Sequence, residues 1–581
     1  MTRRLLRALL LASSVGCGSD PVVETPGAPV ALEPVSAQDF TFQAGPVATA
    51  ELAVRVRDDA GRPVPGVTVT WEPAQRVDPI VTSTDARGEA RTTWRIGTQA
   101  TGVVPVEAVA TLTTAAGTRT VGFRARVNPG PVVLATVLRA DTLPRRTGLV
   151  IEVGQRVRFT TFGRDSLGNA VQDAPATWST SNPARATIEA TTGILTGVAQ
   201  GAVRVLGAIP TASPVPNATA LIVDALRSRE VAAGANWSCA LDAAGAASCW
   251  GARFTGAFAP ADSVVAPRAV LPGVRLSALT GAGAAVCALD GGADVAWCWR
   301  GRETGVAAPV PLDPQRAIAG GGLRALAVGD RQVCAADAVG AVRCAAFVVR
   351  TATEGGDLDV RAPAAIVLPG AARRLAASDS LTCAALDEGV HCWPTSAALM
   401  FGAAARVEGS GPATLLDLSP TRLCTGDAEG RVRCAPRVGT GFGAWADALP
   451  APVRQLAVGA YVTCGIAGDG RLLCAGTNAA GLLQRRDFDP PTTQLDAPSP
   501  DGTGWSAVAV SDELMPPDQV GLVPFAPHAC AITGAGRTYC WGANVRAQLG
   551  VPNEFPCGNR PSVPCSPTPL PVPSRPTAAA R

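Results

Sequence analysis

Lysine is absent from all 581 residues, so each of the 50 basic side chains is arginine. Histidine and tyrosine occur twice each, methionine three times, and aromatic residues make up only 4% of the chain. Two histidines, His391 and His528, are too few for a zinc centre or for imidazole-based acid–base catalysis, so such chemistry would fall to carboxylates. No G-x-S-x-G, H-E-x-x-H, Gly-rich phosphate loop, EF-hand or Cys-x-x-Cys spacing occurs. The arginines are scattered and balanced by 47 acids to a net charge of +3, which leaves no nucleic-acid footprint. Together with abundant Ala, Gly and Pro, the missing lysine reads as high-GC coding. Much of the 47% hydrophobic content is alanine. Small side chains bury little area at about 25 cal/mol per Å², so a further source of stability is expected. The length fits about three or four domains.

Long apolar runs are missing too, and the one short run lies at the N-terminus. MTRRLLRALLLASSVGC places Arg3, Arg4 and Arg7 before an apolar stretch, followed by small residues and Cys17. This is a charged, hydrophobic and cleavable leader, too short to span a bilayer. It resembles a bacterial lipoprotein signal, with Val15, Gly16 and Cys17 on the lipobox. The resemblance implies export and lipidation of Cys17, with ordinary secretion as the alternative. Residues 1–17 are then signal, and the Pro- and Val-rich residues 18–34 a tether.

Export changes how cysteine is read, because thiols in oxidising compartments form disulfides. Of 17 cysteines, removing Cys17 leaves 16. Fourteen fall into close pairs: Cys239/Cys249, Cys287/Cys298, Cys334/Cys344, Cys383/Cys392, Cys424/Cys434, Cys464/Cys474 and Cys530/Cys540. Cys557 and Cys565 remain in the tail and are expected to pair with each other. Between Cys239 and Cys249, a three-residue loop with Gly245 in a left-handed position pairs Asp242 with Ala246 and, counting outward, the two cysteines. A two-residue loop gives the same opposition for Cys383/Cys392, and a four-residue loop for Cys287/Cys298. Opposed residues on antiparallel strands lie within disulfide reach.

The pairs also mark a repeat. First cysteines lie 48, 47, 49, 41, 40 and 66 residues apart. Each unit has a β-like lead-in, a cysteine, an Asp/Gly turn and a second cysteine. Most continue into a proline-flanked apolar stretch such as APRAVLPG, VAAPVPLD, APAAIVLPG or PLPVP. That makes about four short strands per unit. The repeats resemble the chromosome-condensation-regulator (RCC1-type) propeller repeat, best at HACAITGAGRTYCWGANVRAQLG. There His528, Trp541, Gly542, Asn544 and residues 548–550 sit on its signature. The resemblance implies a seven-bladed β-propeller over residues 226–575, with 576–581 a disordered tail. First and last strands are expected to share one blade and close the ring. DFDPPTTQLDAPSPDGTG and DELMPPDQVGLVPFAP read as surface loops, and His391 as a blade-edge residue.

Two modules precede the repeats. Leu52, Val54 and Val56 alternate with Arg55 and Arg57, and Val67, Val69 and Trp71 alternate again, with Trp94 further on. Residues 35–128 therefore read as a β-sandwich, and resemble the immunoglobulin-like domains of intimin and invasin. Residues 129–225 resemble a second bacterial immunoglobulin-like type through Trp178, residues 181–183, Gly193, residues 196–199 and Gly201. Both kinds of tryptophan read as core.

The expected fold is thus all-β, a seven-bladed propeller behind two immunoglobulin-like sandwiches. The turn sequences DAAG, DAVG, DAEG and GDG hold one acid each, too little oxygen for calcium. No catalytic, cofactor-binding or metal-ligating residue is assigned. The expected protein is a monomeric, lipid-anchored envelope protein at the outer membrane or cell surface, presenting its propeller to a protein or glycan partner. Its membrane contact is through the lipid alone, and nucleic acid is not a partner. The alternatives are a propeller-face enzyme acting on glycans and a structural envelope protein without a ligand. Guanine-nucleotide exchange, the role of eukaryotic relatives of such repeats, fits poorly with export and disulfides.

Overall fold

A computed structural model describes residues 25–44, 48–101, 104–139, 149–213, 217–235, 237–251, 267–283, 285–300, 315–349, 358–484, 494–512, 527–545, 547–551 and 564–574. Among these, the only regular element other than β-strand is a 3₁₀ turn at Ala479–Gly481, so the fold is all-β. Cys17, Cys557 and the stretch VAAPVPLD lie outside the described residues. Two compact units form: residues 1–135, 162–174 and 210–214, and residues 136–161, 175–209 and 215–581. The division runs through the second module rather than between modules.

In the first unit two sheets enclose one core. One orders Ala31–Pro34, Thr49–Arg57, Glu89–Arg95 and Val77–Asp78; the other orders Asp39–Gln43, Gly117–Asn128, Val106–Thr114, Thr68–Glu72 and Val81–Ser83. Leu52, Val54, Val56, Trp71 and Trp94 are buried together, as their period-two spacing dictates. Across the outer face of the first sheet runs an ion-pair ladder, Glu33–Arg57 and Arg55–Glu89–Arg91–Glu51. Residues 31–34 are not part of a tether. Ala31–Pro34 pairs antiparallel with Thr49–Arg57 because Leu32 packs on the core, so these residues belong to the sandwich.

Chain entry is fixed by a buried aspartate. Asp58 Oδ2 accepts the Gly27 N–H at 2.8 Å, and its carboxylate also takes the backbone N–H groups of Ala60 and Arg62 and the Arg62 guanidinium. These donors, the Gly27 amide foremost, hold Asp58 down to about 2. Asp165 repeats the device with the N–H groups of Gly130, Leu167 and Asn169.

In the second unit, Ile151, Phe159, Trp178, Leu195, Val205 and Ile222 form the core of the second module. The sheets of that module order Val132–Arg139, Arg156–Asp165, Ile194–Gly197 and Ala186–Ile188, and Leu149–Glu152, Asn217–Val223, Gly201–Ala208 and Thr177–Thr180. Ala170–Gln172 joins the former sheet through Arg156–Asp165.

Seven further sheets follow in chain order, each built on consecutive antiparallel strands. Their innermost strands are Glu230–Gly234, Leu276–Ala282, Leu323–Val328, Arg374–Ser378, Leu415–Leu418, Val453–Val458 and Trp505–Val510. Each neighbours the next, and the last neighbours the first, so the innermost strands form a closed ring. They mix alanine with leucine and valine, and a glycine stands where a neighbour comes too close for a side chain. A Cβ on Gly281, for example, would lie 2.2 Å from the Trp237 ring.

The hairpin turns join the sheets. At six of the seven junctions the carbonyl of a left-handed turn residue accepts an amide at the start of the following sheet or two residues before it. Gly245 takes Leu276, Ala293 takes Leu323, Gly340 takes Ala372, Gly430 takes Val453, Gly470 takes Trp505, and Gly536 returns to Ser228, all within 2.6–3.0 Å. The exception follows the two-residue turn at Asp387 and Glu388, where the Arg374 guanidinium donates to Thr414 O at 3.0 Å instead.

Three expectations change. First and last strands do not share a sheet: Cys565–Pro571 pairs only with Thr538–Ala543, while Glu230–Gly234 opens the first sheet. Within DFDPPTTQLDAPSPDGTG, Gln494–Ala497 is a strand paired with Leu472–Gly476, because Leu495 packs on the core beside it. His391 is no edge residue. It has paired strands on both sides and is 6% exposed.

At Gly430, φ is +82° and a Cβ would stand 2.3 Å from Val453 O. Gly430→Ala should therefore destabilise the ring by about 1–3 kcal/mol through strain and displacement of the next sheet. Gly439→Ala, at φ +58° with nothing within 4 Å, should cost distinctly less. Denaturant unfolding of both variants checks the difference.

Candidate functional site

The second and third strands of all seven sheets are bridged by a cystine: Cys239–Cys249, Cys287–Cys298, Cys334–Cys344, Cys383–Cys392, Cys424–Cys434, Cys464–Cys474 and Cys530–Cys540. Each pair is directly opposed in register, with Cα atoms 4.0–4.1 Å apart. Cys565 is also disulfide-bonded. All of these cysteines but the half-buried Cys434 are buried, so they hold hairpins rather than face a ligand. The Trp-Gly positions are structural as well. Trp541 Nε1 donates to Leu482 O and Trp250 Nε1 to Gln548 O, both at 2.9 Å, each indole holding the loop of the preceding sheet. His528 Nε2 lies 2.8 Å from Ser238 Oγ, joining last sheet to first.

Chemistry concentrates on the axis. A cavity of about 220 Å³ is lined by all seven innermost strands, and among the described residues its charged lining is Asp417 and Asp512. The seven strands run side by side without forming a common sheet, so their edge amides need other partners. Polar side chains supply them. Glu230 Oε2 accepts Leu279 N–H at 2.9 Å, Asp417 Oδ2 accepts Val458 N–H at 2.7 Å, and Gln455 Oε1 accepts Val508 N–H at 3.0 Å.

Asp512 lies at one mouth of this cavity and ties three sheets together. Its Oδ1 accepts the Gly283 N–H at 3.2 Å and its Oδ2 the Ser378 hydroxyl at 3.0 Å. Asp330 and Asp379 are close enough to act on its charge, and Asp379 is paired with Arg437 at 3.2 Å. Burial, reinforced by Asp330, pushes Asp512 up to about 6. Burial likewise raises Asp417 to about 7 against the two backbone amides that favour its ionised form, with Asp512 adding to the rise.

Asp512 opens the stretch DELMPPD, which reads as a solvated loop in the sequence, yet it is only 8% exposed. The aspartates of this mouth had one faint signal. In LAVGDRQVC, LAASDSLTC and VAVSDELM an Asp follows the apolar lead-in at matching repeat positions, Asp330, Asp379 and Asp512. Among the described residues no three His, Cys, Asp or Glu side chains form a metal-binding group, and no helix is long and apolar enough to cross a membrane.

A carboxylate whose pKa is raised on folding makes the folded state take up a proton. For Asp417 and Asp512 this contribution is full below the ordinary value of 3.8 and is lost as pH rises through about 6 to 7. Asp417→Asn and Asp512→Asn should each flatten the fall of stability between about pH 4 and 7. Denaturant midpoints measured across that range, with Gly439→Ala as control, check this.

No protein-family model matches the chain, and no curated protein matches it. Among solved structures it is similar to human WBSCR16, at 12% identity and a TM-score of 0.38, over 51% of this chain and 88% of that one. It is also similar to the entire ectodomain of the Physcomitrella patens receptor kinase CR4, at 21% identity and a TM-score of 0.32, over 54% and 72%. A third is Prp20p from Saccharomyces cerevisiae, at 15% identity and a TM-score of 0.29, over 60% and 77%.

Proposed function

We propose that this chain is an exported, lipid-anchored envelope protein whose seven sheets are the blades of an RCC1-type propeller, preceded by two immunoglobulin-like modules, and that the propeller binds a protein partner. The observation that carries the reading is the closed ring of seven sheets, each crossed by a cystine. Such a ring holds its loops on two broad faces of fixed geometry, which suits recognition of a large surface. Seven cystines fit an oxidising compartment, and the leader ending at Cys17 supplies the route and the anchor. Disulfides and export both argue against nucleotide exchange on a cytosolic GTPase.

The second reading is an enzyme acting on glycans at the axial cavity, favoured by the two carboxylates, Asp417 and Asp512, that line it. Release of reducing ends from envelope glycans by the native protein, but not by Asp512→Asn, would favour it.

The binding reading is tested with the full chain immobilised and exposed to envelope extract. A single protein retained saturably, and lost after reduction and alkylation of the bait, supports it; equal retention by native and reduced bait sinks it. Anchoring is tested separately: Cys17→Ser should lose incorporated lipid and leave the membrane fraction. Non-reducing peptide mapping should find none of the fourteen ring cysteines open to alkylation. Replacing Cys464 and Cys474 together by serine should cost about 2–3 kcal/mol.

A further inference from the structure

The ring of sheets ends without a shared strand. Its first sheet runs from Glu230–Gly234 to Arg268–Val270 and its last from Trp505–Val510 to Cys565–Pro571, and among the described residues no strand passes between them. Ser238–His528 and Trp250–Gln548 join the two sheets directly. A second set of contacts comes from outside the ring. Residues 225–228 run along the last sheet: Leu226 N donates to Val572 O at 2.7 Å, Thr538 N to Leu226 O at 2.9 Å, and Ser228 N to Gly536 O at 2.8 Å. Bridges at Ala225–Pro573 and Arg227–Arg537 complete the strip.

This strip continues Asn217–Val223, a strand of the second module. That strand lies parallel to Leu149–Glu152, whose last residue reaches the same sheet. Glu152 accepts the Tyr539 hydroxyl at 2.5 Å and pairs with Arg537 at 3.2 Å, its side chain only 12% exposed. Tyr539 itself is buried at 2%. Beside this polar contact, Leu221, Val223 and Val150 pack on Val551 and Leu570. Ser574, at the end of the last sheet, bonds Gln200 and Asp224 of the module.

We infer that the second module is the clasp of the ring, and that Glu152 is the residue that fastens it. The module contributes a backbone strip to the last sheet just before the chain enters the first. It then locks that strip with an ion pair and a charge-assisted hydrogen bond, stronger than neutral ones. Opening the ring at this junction must strip residues 225–228 from Thr538 and Val572, so the module and the closing sheet open as one cooperative unit. A spacer would make no such demand.

The test uses the full-length protein and native-state hydrogen exchange. In Glu152→Ala, the amides of Leu226, Ser228, Thr538 and Val572 should exchange about tenfold faster, while those of Leu381–Leu386 across the ring stay unchanged. Unaltered exchange at the four amides would overturn the inference, as would uniform acceleration around the ring, which signals general destabilisation. Tyr539→Phe keeps the packing and removes only the hydroxyl, so it should reproduce part of the effect if the first variant folds poorly. The double variant should match Glu152→Ala; fully additive effects would mean that the two residues act separately and would also overturn the clasp.

Discussion

A carbonyl at the tip of a tight turn, aimed at an amide at or just before the start of the following sheet, joins six of the seven junctions of the ring. The geometry requires a backbone in the left-handed region, which glycine adopts without a steric cost. Ala293 adopts it with its Cβ in place, but at other turns a Cβ would strike the following sheet. At Gly340 that position lies 2.7 Å from Ala372 N, and at Gly430 it lies 2.3 Å from Val453 O. The turn glycine is therefore set twice over, by its own φ and by its neighbour. The aspartate of the same turn has a separate task. Asp242, Asp337 and Asp427 each accept the amide four residues on, at 2.8–2.9 Å, which folds the turn that presents the glycine. Turns that resemble fragments of calcium loops thus direct their oxygens inward, at their own backbone.

The ring geometry limits side-chain size at its tightest points. Where an innermost strand crowds a neighbour, as at Gly281 beside Trp237, no larger side chain fits. The alanine-rich composition leaves a shallow core per residue, and the cystines counter it where each sheet has its two central strands. Each closes a short loop and limits the unfolded chain. Convergence also leaves edge amides facing neither solvent nor a ladder partner. Glu230, Asp417 and Gln455 bridge to the adjacent strand and satisfy them. The raised pKa of Asp417 is a result of that placement, a carboxylate enclosed by protein and facing a small cavity.

Local features were legible in the sequence because strand geometry has period two. Counting outward from a turn of two, three or four residues gives the opposition of Cys383 with Cys392, Cys239 with Cys249, and Cys287 with Cys298, and the registers agree. The alternation around Leu52, Val54 and Val56 likewise assigns the buried face. Features that depend on which sheets meet were not legible. Asp512 bonds Gly283 and Ser378, 229 and 134 residues away in the chain, and no local pattern encodes that distance. Ala31–Pro34 looked like tether because four residues with two prolines nearby show no alternation; only the edge of Thr49–Arg57 makes them a strand.

The same limit governs closure. Matching the last apolar stretch to the strands that follow other cysteine pairs places it correctly as an outer strand, but matching cannot say from where its next neighbour comes. A ring whose two ends lie in different sheets has a seam held by side chains and by whatever lies alongside. Here that neighbour is the chain segment leading into the first sheet, already ordered by its own sandwich. The entropy of fixing residues 225–228 is thus largely met before the ring closes, because Asn217–Val223 is held in a sheet of its own. A free N-terminal segment would have to be ordered at the moment of closure. Building the strip onto a folded module removes that cost from the junction of last and first sheets, and it makes the module part of the fold it precedes.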